Sequence, residues 1–337
     1  METNLKSKVG LFFVRKNSMG AHMKMLFQLI IRRKIFMNKD VCTVSVVTFN
    51  ALWGEKAINL NRIKGYIECA AKKGSDFVIF PEMALTGYDD EPDKPLKEKM
   101  QYKLAETIPG PSTNEIAELT KKLGVYVVMG MPARDDKNPD IIYNALAIFS
   151  PEGLVGSYHK MHLPDPEPNW ATRGDKPFIL DTPWGPVGCA ICYDSYNFPE
   201  LMRYYASKGC RLYINSTALA KCHGKCLGTS TLEAAVIREG IYIASSNLGG
   251  LDAYNYFWGG SSIIGPSRKT WEPYYYAGHK FTDEEADESE MFTATIDLSL
   301  ATRYLFKNNP KVNGTDWRPD KYIEMFKDSL SDPNYGK

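Results

Sequence analysis

Three reactive side chains stand where apolar runs end. Phe77-Val-Ile-Phe-Pro-Glu82 closes on a carboxylate, Gly153-Leu-Val-Gly-Ser-Tyr-His-Lys160 on an amine, and Val187-Gly-Cys-Ala-Ile-Cys192 on a thiol. A thiol with a base and a cation beside it can form a covalent bond to an electrophilic carbon, because base and cation both favour the thiolate. Taken singly, each residue has an ordinary reading: a buried cysteine as a small hydrophobe, a glutamate in a surface loop, a lysine finishing a hairpin with its charge in water. Ligands of open α/β sheets gather at the carboxyl ends of strands, so three such ends could converge on one pocket. Tyr193-Asp194 follows the thiol and a helix begins near Pro199. A strand-to-helix turn of that kind exposes a nucleophile and offers free backbone N–H groups beside it.

The elements that must position these residues alternate. Thr43–Phe49 reads as a strand, and Ile63, Ile67, Ala70 and Ala71 share one face of a following helix that Gly74 stops. Phe77–Phe80 is a short continuous apolar run, as expected of a strand covered on both faces. Ser112-x-x-Glu115 reads as a capping box for a helix ending at Gly124, and Val125–Met129 as the next strand. Tyr143–Phe149 and Leu154–Tyr158 flank Ser-Pro-Glu-Gly, and Phe178–Asp181 and Pro186–Ile191 flank Thr-Pro-Trp-Gly, which are two hairpin signals. A helix from Pro199 to Gly209, a strand at Leu212–Ile214 and a helix opened by Ser230-x-x-Glu233 follow. Strands at Tyr242–Ser245, Ser261–Ile264 and Phe292–Ile296 complete the core. No repeat divides the chain, which reads as one α/β domain over 41–300 with helices on its outer faces. Residues 301–337 read as an extended tail that packs on the domain or on a partner subunit.

Of the 337 residues, 44% are hydrophobic and 24% charged, the balance of a soluble globular protein. The formal net charge of +1 argues against a nucleic-acid partner, and no apolar run reaches the length needed to span a bilayer, so no membrane partner is expected. Charge is uneven, however: residues 1–40 hold nine Lys or Arg against Glu2 and Asp40, leaving −6 for the rest. Arg32-Arg33-Lys34 follows the short apolar Met25–Ile31, the reverse of a secretory signal. Residues 1–40 read as a disordered basic extension, or as translated sequence ahead of a start at Met37. The seven cysteines form no regular framework, which suits a reducing, cytoplasmic home.

Longer stretches around the three residues resemble the nitrilase superfamily of carbon–nitrogen hydrolases. They are Phe80-Pro-Glu-Met-Ala-Leu-Thr-Gly-Tyr88, Tyr158-His-Lys-Met-His-Leu-Pro164, and Ile191-Cys-Tyr-Asp194 with Phe198-Pro-Glu200. Tyr143-Asn144, Trp184-Gly-Pro-Val-Gly188, Gly259-Gly-Ser-Ser-Ile-Ile264 and Trp317-Arg-Pro-Asp-Lys-Tyr322 extend the likeness, in order, over residues 41 to 322. The resemblance implies a four-layer αββα sandwich, assembled as a homodimer or larger homo-oligomer, that needs neither cofactor nor metal. It implies a catalytic Glu–Lys–Cys triad at Glu82, Lys160 and Cys192, with the backbone N–H of Tyr193 as a second oxyanion donor. It also implies a second active-site glutamate, for which Glu167 is the candidate.

Three features depart from the pattern. The stretch from Tyr193 to Glu200 is one residue longer than expected. The helix over Leu232–Glu239 reads Glu-Ala-Ala-Val-Ile-Arg-Glu where many relatives carry Arg-Ala-x-Glu-Asn, and Lys221-Cys-His-Gly-Lys-Cys226 is unusual. A zinc site at Cys189, Cys192, Cys222 and Cys226 with His223 is disfavoured, since side chains three apart on a strand point to opposite faces. Cys-Tyr-Asp in place of Cys-Trp-Glu after the nucleophile points towards an amidase or N-carbamoyl amine hydrolase over a nitrilase. The alternatives are a nitrilase, an acyl transferase, and a non-catalytic binding protein on the same scaffold. The expected partner is a small-molecule amide or carbamoyl substrate, with Tyr88, Trp170, Asn197 and His223 as candidate contacts.

Overall fold

Period-two alternation sorts the strands' side chains into two layers. In the computed structural model, which describes residues 39–336 apart from Trp271 and Glu285, β1 (Val41–Thr48) sends Cys42, Val44 and Val46 into a core shared with the second sheet. Val47 and Phe49 turn instead towards the helices. Helix α1 (Lys56–Lys72) buries Leu60, Ile63, Ile67 and Ala70, three and four residues apart, on that outer face. Strand β2 (Phe77–Ile79) divides in the same way, Phe77 and Ile79 inward, Val78 and Phe80 outward. After the short α2 (Met100–Leu104), α3 (Pro111–Leu123) joins α1 on the outer layer through Ile116 and Ala117. Strands β3 (Tyr126–Arg134), β4 (Ile142–Ser150) and β5 (Gly153–His159) complete a six-stranded sheet of order β14-β1-β2-β3-β4-β5, in which β14 is Glu290–Asp297.

The second half repeats the plan. Strands β6 (Phe178–Thr182) and β7 (Gly185–Ile191) lead to α4 (Tyr193–Tyr196), α5 (Pro199–Ser207) and β8 (Leu212–Thr217). Helix α6 (Lys225–Glu239) and strands β9 (Tyr242–Asn247), β10 (Gly249–Leu251), β11 (Tyr256–Trp258), β12 (Ser262–Pro266) and β13 (Pro273–Gly278) follow. The second sheet runs β13-β12-β9-β8-β7-β6, while β10 and β11 form a separate hairpin. In each sheet three parallel strands, β1-β2-β3 and β7-β8-β9, are flanked by antiparallel ones. Leu201, Met202 and Tyr205 of α5 and Leu232 and Val236 of α6 join the core around the second sheet. The architecture is therefore the αββα sandwich. Burying each such aliphatic or aromatic side chain contributes about 1.5–3 kcal/mol, so the central core dominates stability. No described helix is long and apolar enough to cross a membrane.

Several element boundaries differ from the sequence expectations. Helix α3 is capped by Gly110 with Thr113, not by Ser112 with Glu115: the Gly110 N–H reaches the Thr113 hydroxyl at 2.7 Å, while the Ser112 N–H and hydroxyl are both taken by Glu106 at 2.8 Å. Helix α6 opens at Gly224, six residues before Ser230, so Ser230 lies inside it. The expected tail ends in a further helix, α7 (Pro319–Ser331), which leaves Ile323, Phe326 and Leu330 exposed. Closer to the domain, the Arg303 backbone N–H donates to the Gly240 carbonyl and its guanidinium to that of Ala206, tying the start of the tail down. The expectations for residues 1–38 lie outside the described residues.

Candidate functional site

Glu82 is delivered by the end of β2. Phe80 makes the last ladder bond, to the Val128 carbonyl, and Pro81 has no N–H with which to continue it. The backbone then turns against β3 at Gly130, where a side chain would sit 2.2 Å from the Pro81 oxygen and 2.7 Å from the Glu82 Cα. Only glycine admits that approach. Met83 follows at φ +54°, a conformation rare for a non-glycine residue. The Glu82 carboxylate is fully buried: Oε1 accepts from Lys160 Nζ at 2.7 Å and from Asn144 Nδ2 at 2.6 Å, and Oε2 has no partner.

Lys160 follows β5, its N–H bonded to the Asn144 carbonyl at 2.9 Å. Its ammonium, also fully buried, bridges Glu82 and Glu167, meeting Glu167 Oε1 at 2.5 Å. Glu167 lies on a single 3-10 turn and also accepts from the Tyr88 hydroxyl at 2.7 Å and from Asn144 Nδ2 at 3.3 Å. Two carboxylates thus share one ammonium, with the Asn144 amide and the Tyr88 hydroxyl as neutral donors. Burial raises the Glu167 carboxyl, the Lys160 ammonium opposes this and Glu82 adds to it, leaving it at about 7. Burial works against the Lys160 charge too, but Glu167 and Glu82 more than offset it and hold the ammonium above its ordinary range.

Cys192 occupies the turn between β7 and α4 at φ +48°, ψ −102°, another strained non-glycine conformation. Three bonds hold it there: its N–H donates to the Ser216 carbonyl at 3.0 Å, and its carbonyl accepts from the N–H groups of Ser195 and Tyr196. Asp194 braces the turn from beneath, accepting from the Tyr158 hydroxyl at 2.7 Å, His162 Nδ1 at 2.8 Å and the His162 N–H at 3.0 Å. The elbow is thereby tied to the segment that carries Lys160. Burial, then the Glu82 charge, pushes the Cys192 thiol up, against the pull of Lys160, the Thr217 hydroxyl and the Ala218 N–H. At rest the thiol keeps its proton and needs a base. Cys192 retains 7% exposure while Glu82 and Lys160 have none, so of the three only the cysteine is open to an incoming molecule.

The remaining candidates are scattered. Tyr88 belongs to the cluster through Glu167. Trp170 is buried against Met83 and Ile142, beside the turn that carries Glu82. Tyr193 opens α4 directly after the thiol, its ring against Phe198. Asn197 is exposed at the end of α4, and His223 is exposed on the turn Lys221–His223; neither enters the hydrogen-bond network of the cluster. Asn144 and Asp194 went unassigned in the sequence, although both stand inside the stretches quoted there.

The Tyr88 loop is itself clamped. Asp252 Oδ2 accepts the N–H groups of Tyr88 and Asp89 at 2.7 and 2.8 Å, and Asp89 Oδ2 accepts those of Tyr254 and Asn255 at the same two distances. Burial, with the Asp89 charge adding to it, raises the Asp252 carboxyl to about 7 despite those N–H bonds. The folded chain therefore binds a proton there that the unfolded chain releases near pH 4, and stability falls as pH rises from about 4 through about 7. Asp252→Asn keeps an oxygen for both N–H groups, and its Tm is expected to show a shallower decline than the parent's between pH 5 and 8. A parallel decline in the two proteins would exclude Asp252 as its source.

Known proteins share this chain's sequence pattern and its fold. A family model described as carbon–nitrogen hydrolase matches residues 43–304. Omega-amidase NIT2-B of Xenopus laevis is 30% identical over 266 residues, 75% of this chain and 91% of that protein. Human omega-amidase NIT2 is 30% identical over 222 residues, 63% and 76% of the two chains. Among solved structures, an amidase from Nesterenkonia sp. superimposes with a TM-score of 0.67 at 19% identity, covering 86% of this chain and 98% of that one. A variant of it carries the acetamide moiety of fluoroacetamide covalently on its active-site cysteine, at TM-score 0.67, 19% identity and coverages of 84% and 96%. At that identity the likeness shows the fold.

Proposed function

We propose, from the premise that this chain belongs to the carbon–nitrogen hydrolase family, that it hydrolyses the C–N bond of a small-molecule amide through a thioester on Cys192. The observation that carries the reading is the buried Glu82–Lys160 pair, one carboxylate oxygen unpartnered, beside a thiol on a strained strand-to-helix turn. The omega-amidase relatives favour an ω-amide as substrate class, and the alkylated cysteine of the solved amidase supports a covalent route.

In the first half-reaction Glu82 Oε2 takes the thiol proton as the sulfur bonds to the amide carbon, and the carbonyl π pair moves onto oxygen. Lys160 and the Tyr193 N–H face that developing charge. The C–N bond then breaks, Glu82 returns the proton to the departing nitrogen, and ammonia or an amine leaves. In the second half Glu82 takes a proton from water, the hydroxide attacks the thioester and the C–S bond breaks. Glu82 returns its proton to the departing sulfur, and the acid product loses its own to solvent and leaves as a carboxylate. Glu167 and Asn144 hold Glu82 and Lys160 in register and keep the ammonium from pairing with Glu82 alone. The enzyme acts as a cytoplasmic homodimer or larger homo-oligomer, with residues 41–300 as the hydrolase domain.

Ammonia release from primary amides, ω-amides, N-carbamoyl compounds and nitriles, with quenched samples searched for an acyl mass on the Cys192 peptide, tests the reading. Ammonia from amides together with that adduct is expected; turnover of nitriles alone, or an adduct on another cysteine, would overturn it. Asn144→Leu, which removes the amide shared by both carboxylates, is expected to lower kcat about ten- to a hundredfold, the worth of one or two charge-assisted hydrogen bonds. Steady-state kinetics would show the loss in kcat; a change confined to KM would assign Asn144 to substrate binding.

A further inference from the structure

We propose that Thr217 is a catalytic residue whose hydroxyl, held in a hydrogen-bonded chain with Tyr196 and Asn215, donates a hydrogen bond to the Cys192 sulfur. The inference rests on the reading of Cys192 as nucleophile. Asn215 and Thr217 lie two apart on β8 and so share a face, while Tyr196 is one helical turn past Cys192 on α4. The parallel register of β7 and β8, Ile191 beside Ser216, sets the end of one strand against the thiol that follows the other.

The chain is built from one amide and the hydroxyls around it. Asn215 Oδ1 accepts from the Ser195 hydroxyl at 2.8 Å, and Nδ2 donates to Ser245 Oγ at 3.0 Å and to the Tyr196 oxygen at 3.2 Å. With that lone pair filled, the Tyr196 hydroxyl donates onward to Thr217 Oγ1 at 3.2 Å. The Thr217 proton is then left for the sulfur: the Cys192 N–H bonds the Ser216 carbonyl at 3.0 Å, which sets the cysteine beside the residue that follows Ser216. Asn215, Thr217 and Ser245 are completely buried, so no solvent competes for these groups.

Such donors strengthen as charge develops on sulfur, and in a low-dielectric site a polarised chain reinforces its last bond. The charged groups facing the thiol are Glu82, which opposes the thiolate, and Lys160, which favours it; Tyr88 and Tyr196 face it as neutral phenols. Lys160 is already divided between two carboxylates. Thr217 supplies a donor that no carboxylate claims. The thiol proton still goes to Glu82, and Thr217 keeps its own throughout.

The test is alkylation of Cys192 by iodoacetamide across pH, followed on the Cys192 peptide by mass spectrometry because Cys69, Cys222 and Cys226 are exposed and would obscure a bulk signal. Thr217→Val is expected to slow alkylation at pH 7 about tenfold and to move the midpoint of its pH profile up by about one unit, the effect of one lost bond to a charged acceptor. Thr217→Ser should restore both, and Tyr196→Phe should move them the same way by less. A folded Thr217→Val with the parent's profile, or a Thr217→Ser as impaired as the valine variant, overturns the proposal. Should the valine variant not fold, an unshifted Tyr196→Phe overturns it instead. Amide hydrolysis in Cys192→Ala is measured alongside: activity surviving there would sink the nucleophile reading, whereas an unshifted Thr217→Val with a silent Cys192→Ala would sink the relay alone.

Discussion

Cys192→Ala is expected to lower kcat/KM for the best amide by about ten thousand- to a millionfold, the scale on which nucleophile removal acts in covalent hydrolases. Alanine leaves Glu82, Lys160 and the elbow in place, yet nothing is left to carry the acyl group between the two half-reactions. The fold should survive, because alanine removes one buried sulfur and leaves every backbone bond of the elbow in place. Cys192→Ser separates nucleophilicity from shape: the hydroxyl fills almost the same space but is a far poorer nucleophile, so its rate should stay close to that of alanine. Initial rates of ammonia release by both variants, against Tm, check the point. A loss below about a hundredfold in Cys192→Ala would assign the chemistry to another group, since the remaining oxyanion donors and binding contacts cannot supply so much of the rate.

The same geometry shows why part of the site is legible in the sequence and part is not. Glu82, Lys160 and Cys192 each end an apolar run, and a charged or reactive group at such a place must be paired, exposed or used, so it can be noticed before any contact is known. Glu167 is within reach because it follows Lys160 by seven residues. Asn144 and Asp194 differ. Their partners lie 62 and 36 residues away in the chain, and only the pairing of β3 with β4 and the return of the β5 segment onto the elbow create those bonds. Thr217 lies beyond the strand that the sequence signals at Leu212–Ile214, and its role depends on β7 and β8 lying side by side.

The layers were legible because alternation in β1 and β2 and the three–four spacing in α1 are local signals. Helix starts were less so. Ser112 has the form of a cap, but Glu106, brought close by the preceding turn, offers its N–H and hydroxyl a charged acceptor, and the cap moves back to Gly110. Strand β13, at the edge of the second sheet, gives no such signal, because its tyrosines are exposed or half-buried and show no clean alternation.

Lys160→Met should destroy both activity and stability, and pH separates the two losses. The parent buries one ammonium between Glu82 and Glu167; methionine removes the charge and leaves two carboxylates facing each other with only Asn144 and Tyr88 as donors. Removing one partner of a buried ion pair typically costs about 3–5 kcal/mol, and losing an oxyanion donor about a hundred- to a thousandfold in kcat. With the ammonium gone, burial and the Glu82 charge push the Glu167 carboxyl up further, so the folded variant holds a proton there that its unfolded chain releases near pH 4 to 5. Its stability must therefore fall as pH rises above that range, more steeply than the parent's, and acidification should recover much of the lost Tm. Activity should not return, because the oxyanion donor is still missing. Adding Glu167→Gln to Lys160→Met removes one of the repelling charges, and should raise Tm near pH 7 while leaving the enzyme inactive. Thermal unfolding of both variants between pH 4.5 and 8, with ammonia release measured in parallel, decides the matter. If Lys160→Met unfolded at the parent's temperature across that range, the buried ammonium would not be what reconciles the two carboxylates.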